Sequence, residues 1–135
     1  MTAGYSATPL AQKLSLKGGM KAWFKGMPDS VRTEIDPEKL DLEELTSACD
    51  GIDAAHMFHT DQAAMAHDLK ALRELIQPAG FVWVSWPKQA SKVATDITED
   101  TVRAAALPLG LVDVKVCAVD DTWSALKLMI RKSER

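Results

Sequence analysis

Six consecutive residues limit what this chain can become more than any others. In Phe81-Val82-Trp83-Val84-Ser85-Trp86 only Ser85 is polar. A strand of that kind is buried on both faces, as happens in the middle of an α/β sheet covered by helices on both sides. The residues before it fit that setting. Met65, Leu69, Leu72 and Ile76 repeat at spacings of four, three and four, one apolar stripe on a helix predicted over Gln62–Gln77. Thr60 or Asp61 caps it, and Pro78-Ala79-Gly80 ends it. Ile52–Phe58 reads as the strand that precedes this helix.

The flanking segments extend the pattern. Thr8-Pro9 caps a short helix that stops at Gly18-Gly19. Met20–Lys25 alternates as a strand, and a helix runs from about Asp29 to Ile35 until Asp36-Pro37 interrupts it. Asp41–Ala48 is predicted as an acidic helix. Thr98 caps a helix over Glu99–Leu109, with Glu99 and Asp100 at its positive end. Leu111–Val119 follows as a strand with Val112, Val114, Val116 and Ala118 on one face and Asp113 and Lys115 on the other. Ser124–Arg131 returns antiparallel after a short turn. The fold predicted is α/β: a three-layer Rossmann-like open sheet of about five strands, mostly parallel, with a C-terminal antiparallel hairpin.

At 135 residues the chain is one domain, 1–135, with Met1–Ala7 expected to be extended or frayed. The net charge of −3 argues against a nucleic-acid binder. No apolar run is long enough for a signal peptide or a membrane span, so a cytoplasmic protein without membrane attachment is expected. Two cysteines build neither a disulfide scaffold nor a four-ligand zinc site; Cys49 reads as a loop thiol and Cys117 as a buried strand thiol.

Ligands of open α/β sheets bind outside the carboxyl ends of the strands. Those ends gather the candidate residues. His59 lies where its strand stops, as a loop histidine or one facing a cleft. His56, three residues earlier, projects to the opposite face, so the two share no metal. Ser85 reads as a small core residue against a helix. Asp120 and Asp121 are either solvated turn residues or an acid/base pair. Trp86 and Trp123 either cover a core edge or line an aromatic slot. The ten-residue loop Pro87–Asp96 is longer than the usual βα connection and offers Lys88 and Lys92 to an anionic group.

Two resemblances bear on function. The series from Ile52 to Trp86, the helix running into Gly110 and the terminal antiparallel pair resemble the later half of a class I methyltransferase fold. Over nearly the whole chain, strings such as Gly4-Tyr5-Ser6, Trp83-Val84-Ser85-Trp86-Pro87-Lys88 and Leu107-Pro108-Leu109-Gly110-Leu111-Val112 are similar to a bacterial domain-of-unknown-function family of short Rossmann-like proteins. The first resemblance implies an S-adenosylmethionine site with a Gly-x-Gly turn after the first strand. The turn here is Gly26-Met27-Pro28-Asp29-Ser30, with one glycine and a rigid proline. The ribose-holding carboxylate after a second strand is also expected to be missing. Only 26 residues, Gly26 to Gly51, separate the first strand from Ile52, which implies the loss of two strand–helix units. No bound cofactor and no metal are therefore expected. The reading is a module that binds a small anionic ligand or a protein partner without methyl transfer. An enzyme of unrecognised type acting at the strand ends, with Lys88 or Asp120 in the chemistry, and a homodimerisation module built on the terminal hairpin stand as alternatives.

Overall fold

The computed structural model describes residues 9–135. The expectations for Met1–Ala7 and for a Thr8 cap lie outside the described residues. Strand β3 (Ile52–Phe58) runs parallel to β4 (Ile76–Pro87), and helix α4 (Gln62–Arg73) crosses between them. On the far side of β3 lies β1 (Lys21–Lys25), also parallel. On the far side of β4 lie β6 (Trp123–Ile130) and then β5 (Leu111–Ala118), both antiparallel to their neighbours. With the two-residue β2 (Glu43–Glu44) beside β1, the sheet has six strands in the order β2-β1-β3-β4-β6-β5.

Alternation along the strands builds the two outer layers. Ala55, Met57, Val82, Val84 and Trp86 bury against Met65, Leu69 and Leu72 of α4 and Val102 and Ala106 of α5 (Glu99–Ala106). Ala54, Phe58, Phe81, Trp83 and Ala125 bury against Leu10 and Ala11 of α1 (Leu10–Lys13) and Val31 and Ile35 of α2 (Asp29–Ile35). The caps work as the sequence predicts: the Asp61 side chain accepts from Ala64 N, and Thr98 from Thr101 N. Among the described residues no helix is long and apolar enough to cross a membrane.

Four local departures have physical causes. The helix predicted over 41–48 is absent; α3 (Pro37–Leu40) ends at Asp41, whose φ of 61° is left-handed, and β2 follows. Leu42 and Leu45, three apart, read as helical, yet they pack on opposite faces of the sheet as strand spacing dictates. Their segment bonds to β1 through Glu43 N to Met20 O (2.9 Å) and Leu45 N to Ala22 O (2.8 Å). One strand with its helical connection is therefore retained where two such units were expected to be lost.

The helix predicted to reach Gln77 stops at Arg73, and Ile76 enters the same core from the start of β4. Pro78-Ala79-Gly80 does not end an element. It forms an irregularity inside β4, where the register jumps from Ile52↔Ile76 to Ala54↔Phe81. A Cβ on Gly80 would sit 3.0 Å from the carbonyl oxygens of both Ile52 and Asp53, so the close approach of the two strands requires glycine there.

In β5 the register shifts between Asp113 and Lys115, leaving Val114 as an extra residue. The bulge breaks the predicted alternation. Asp113 turns toward Arg103 of α5, and Lys115 turns toward Lys13 at the end of α1. Val114 and Val116, predicted on an apolar face, are 49% and 52% exposed. The fourth departure is smaller: Cys117 is half-buried rather than buried, while Cys49 is exposed as expected. Burial raises the Cys117 thiol above its ordinary range, against the opposing pull of Lys13 and Lys115.

Candidate functional site

β1, β3 and β4 end on one edge of the sheet, and the antiparallel β6 starts there. This edge is where an α/β sheet offers a ligand its loops and helix ends. Its best-defined polar feature joins three elements. Asp68 of α4 accepts through one oxygen, Oδ2, from Lys25 Nζ at the end of β1 (2.6 Å) and bonds His59 Nε2 just past β3 (2.9 Å). Burial alone would raise the Asp68 carboxyl. The hydrogen bonds and charges of Lys25 and His59 outweigh it, so the group lies below the usual carboxylate range. Both His59 and Asp68 side chains are largely buried, at 10% and 16% exposure. No hydrogen bond among the described residues takes His59 Nδ1.

Sequence reasoning named His59 and missed Lys25 and Asp68. A signal for Asp68 existed: it follows Met65 by three residues, which sets it on the flank of the apolar stripe, facing the strand ends. Lys25 carried no such mark, because a lysine at a strand end is usually solvated.

Lys88 points toward the turn before β6. Its Nζ donates to Asp120 O (2.6 Å), and its backbone N donates to Thr122 O (2.7 Å). Asp120 Oδ1 in turn accepts from Thr122 N and Trp123 N. Lys88 and Asp120 thus tie the loop after β4 to the β5–β6 turn, and the carboxylate is used locally as in an Asx turn. Asp121 is exposed beside it and does not converge with Asp120 on a common point. Lys92 is exposed at a left-handed position, φ 62°, after the single 3-10 turn Gln89–Ser91.

The two tryptophans separate. Trp86 is buried on the α4/α5 side, and Trp123 is half-buried on the α1/α2 side. There Trp123 meets Phe58 edge-on, with ring centroids 5.2 Å apart. They form no common slot; each covers its own edge of the core. Alternation explains it: Trp86 pairs with Ser124 across the ladder, so its register partner's neighbour, Trp123, faces the other way.

The turn after β1 is narrow. Gly26 has φ 68°, and a Cβ there would lie 2.9 Å from Phe58 O. Gly26→Ala is expected to cost about 1–3 kcal/mol. Urea unfolding with an unchanged midpoint would refute this account of the turn. Met27 packs against the α1/α2-side core, and Pro28 holds the cap position of α2. An acidic residue, Glu44, closes β2. Both its oxygens accept from Arg32, at 2.7 and 2.8 Å.

Behind this edge, His56 lies in the core with Nε2 2.7 Å from Ser85 Oγ, stacked on Phe58 at 4.3 Å. Ser85 is a buried core residue, as expected, and has a polar partner there. His56 and His59 bond to different groups, and no metal-ligating cluster occurs among the described residues. A hollow of about 400 Å³ lies at the opposite edge of the sheet, lined by Lys17, Gly18, Gly19, Asp53, Gln77 and Phe81 among others.

No family model and no curated protein matches the chain, so the similarity to a bacterial family of short proteins gains no support from those comparisons. Solved structures do resemble it. An S-adenosylmethionine-dependent methyltransferase from Aquifex aeolicus superposes with a TM-score of 0.60 at 16% identity, covering 90% of this chain and 87% of that one. A TehB-like methyltransferase from Corynebacterium glutamicum gives 0.56 at 7% identity, covering 96% and 91%. Magnesium protoporphyrin IX methyltransferase from Synechocystis, solved with bound S-adenosylhomocysteine, gives 0.55 at 10% identity, covering 84% and 74%. Identities this low speak to fold alone. The chain has the Rossmann-like fold of the class I methyltransferases, a mostly parallel sheet closed by a C-terminal antiparallel pair.

Proposed function

We propose that this domain binds a small ligand at the carboxyl edge of its strands and does not transfer methyl groups. The turn after β1 carries the reading. A cofactor lying against that turn needs bare backbone, and here only Gly26 lacks a side chain while Pro28 has no N–H to offer. Arg32 adds to this by holding both oxygens of Glu44. The pair is partly exposed and contributes no more than about 1 kcal/mol, so its displacement alone would weaken a ligand only a few-fold. The turn is the stronger obstacle.

Calorimetric titration with S-adenosylmethionine tests this. The expected result is no affinity tighter than millimolar. Micromolar, saturable binding that Glu44→Gln weakens would overturn the proposal and return the chain to cofactor-dependent chemistry. The small ligand favoured is anionic, since Lys25, Lys88 and Lys92 lie along this edge with His59. A protein partner or a second copy of the chain at the terminal hairpin would give a response to mass rather than to metabolites.

A second reading is favoured by one observation. A histidine oriented by a carboxylate on one nitrogen and unbonded on the other is the arrangement of a general acid/base. In that reading the edge is an active site of a non-methylating enzyme, with His59 as the proton carrier and Asp68 fixing its tautomer.

A further inference from the structure

The irregularity in β4 leaves an open space beside it. From Ile52 to Ala54 β3 advances by two residues, while β4 advances by five, from Ile76 to Phe81. The surplus residues Gln77, Pro78 and Ala79 have no register partner in β3 and are exposed. The hollow of about 400 Å³ at the amino edge lies against this excursion. Its volume falls in the range of about 300–1,000 Å³ usual for small-molecule sites. Irregularities of this kind are frequent beside functional sites, because they re-aim side chains that an even ladder would fix in place.

The strand order decides where the polar groups of the hollow stand. β3 lies between β1 and β4, so Asp53 of β3 has the Lys17–Met20 segment on one side and Gln77 on the other. Asp53 Oδ2 accepts from Lys21 N (2.9 Å), which holds the carboxylate in position. Between Lys17 and Met20 the wall is bare backbone. A Cβ on Gly18 would sit 2.7 Å from Leu40 O, and Gly19 holds φ 85°. Met20, Ala79 and Phe81 contribute apolar surface.

The two charges that line the hollow, Asp53 and Lys17, have opposite signs. An ion of one sign is attracted by the first and repelled by the second, whichever sign it carries. A small molecule carrying both signs gains from both. Gln77 adds an amide that can donate and accept.

We propose that this hollow binds a small zwitterion of the free amino-acid class. Its ammonium donates to Asp53 and to the Gln77 amide oxygen, its carboxylate accepts from Lys17, and an apolar side chain rests on Met20, Ala79 and Phe81. The contacts to the charged ends are charge-assisted hydrogen bonds, the stronger kind. Asp53 is already fixed by Lys21 N, whereas Lys17 and Gln77 are exposed and must be ordered on binding. That ordering holds the affinity to the submillimolar or millimolar range. The site lies at the opposite edge of the sheet from the strand ends discussed above and does not depend on the function proposed there.

L-Leucine is the probe, with isoamylamine and isocaproate as counterparts that lack its carboxylate and its ammonium respectively. Amide-detected heteronuclear NMR at neutral pH and constant ionic strength is expected to show saturable shift changes at Gly18, Gly19, Asp53 and Gly80. Each counterpart is expected to bind several-fold more weakly. Asp53→Asn keeps an acceptor for Lys21 N and is expected to weaken L-leucine about tenfold. Lys17→Gln, an exposed change, is expected to weaken it about two- to fivefold. Lys70→Gln, exposed elsewhere, is expected to bind like the parent. Circular dichroism and the ligand-free Tm verify folding, and should Asp53→Asn lose structure, Lys17→Gln and the two counterparts carry the test. No saturable change below roughly 10 mM overturns the proposal. So does a counterpart that binds as tightly as L-leucine, or parent-like binding in the Lys17 variant. Shift changes confined to the carboxyl edge overturn it as well and would assign the ligand to the site proposed there.

Discussion

Trp83→Ala is expected to destabilise the domain by about 3–5 kcal/mol, the range for removing a large aromatic side chain from a close-packed core. Total stabilities of such domains are only about 5–15 kcal/mol, so much of the population would be unfolded at modest urea. Trp83 sits at the centre of β4 with 1% of its surface exposed. Its indole packs in the layer beneath α1 and α2 and donates from Nε1 to Leu14 O (2.9 Å), fastening the end of α1 to the sheet. Trp83→Phe keeps most of the apolar volume and leaves the Leu14 carbonyl without its donor, which costs about 1–3 kcal/mol. Urea unfolding followed by far-ultraviolet circular dichroism orders the three proteins. Parent and Trp83→Ala with equal midpoints would show that this side chain is not the keystone of that layer.

The second large effect is a loss of stability in acid that begins well above the carboxylate range. His56 is wholly buried, and burial lowers its pKa from 6.5 to about 3. Above pH 6.5 the ring is neutral in both folded and unfolded chains and contributes no pH dependence. As the pH falls below 6.5 the unfolded chain takes up a proton that the folded one refuses, so stability declines until the folded ring also titrates near pH 3. The slope approaches about 1.4 kcal/mol per pH unit, reaching several kcal/mol by pH 4. Asp68, whose carboxyl is held low, acts in the same direction but at lower pH, below its ordinary value near 3.8. Thermal unfolding across pH 4–7 separates the two. The double variant His56→Leu/Ser85→Ala removes both ends of the buried hydrogen bond and is expected to flatten the curve between pH 6.5 and 4. Ser85→Ala alone keeps the slope and lowers the whole curve, because Nε2 then joins Nδ1 as a buried ring nitrogen without a partner. A parent whose Tm is level from pH 6.5 to 4.5 would contradict this environment for His56.

The centre of the sheet was legible in the sequence because its physics is local. An unbroken apolar strand, a stripe repeating every three to four residues and capping side chains each announce themselves within a window of a dozen residues. The misreadings occurred where a distant partner decides. Leu42 and Leu45 have the spacing of a helix, but β1 offered them a ladder. Pro78-Ala79-Gly80 has the composition of a break, yet β3 runs close enough to keep it in the strand. The carboxyl edge was placed correctly as a region, and its membership was only partly read. His59 is marked by its position at a strand end. Its partner Asp68 sits on the next helix and Lys25 on another strand, and only the closed fold joins them through a single oxygen. The tryptophans show the converse. Their strand ends left a core edge and a shared slot both open, and the two-residue period of the sheet put them on opposite sides, each against its own edge of the core.

The extra residue at Val114 has a consequence beyond the local twist. A sheet that ends in a long, even strand invites further copies to add on without limit. Here one border is only Glu43 and Glu44, whose charges repel a like border. The other border is interrupted at Val114, midway along its eight residues. Neither border offers an even run of free N–H and C=O groups for a neighbour to zip onto, a common natural defence against fibre growth. Growth by strand addition at either border is therefore disfavoured. At the bulged border the half-exposed side chains of Val114 and Val116 stand where an even backbone template would otherwise run.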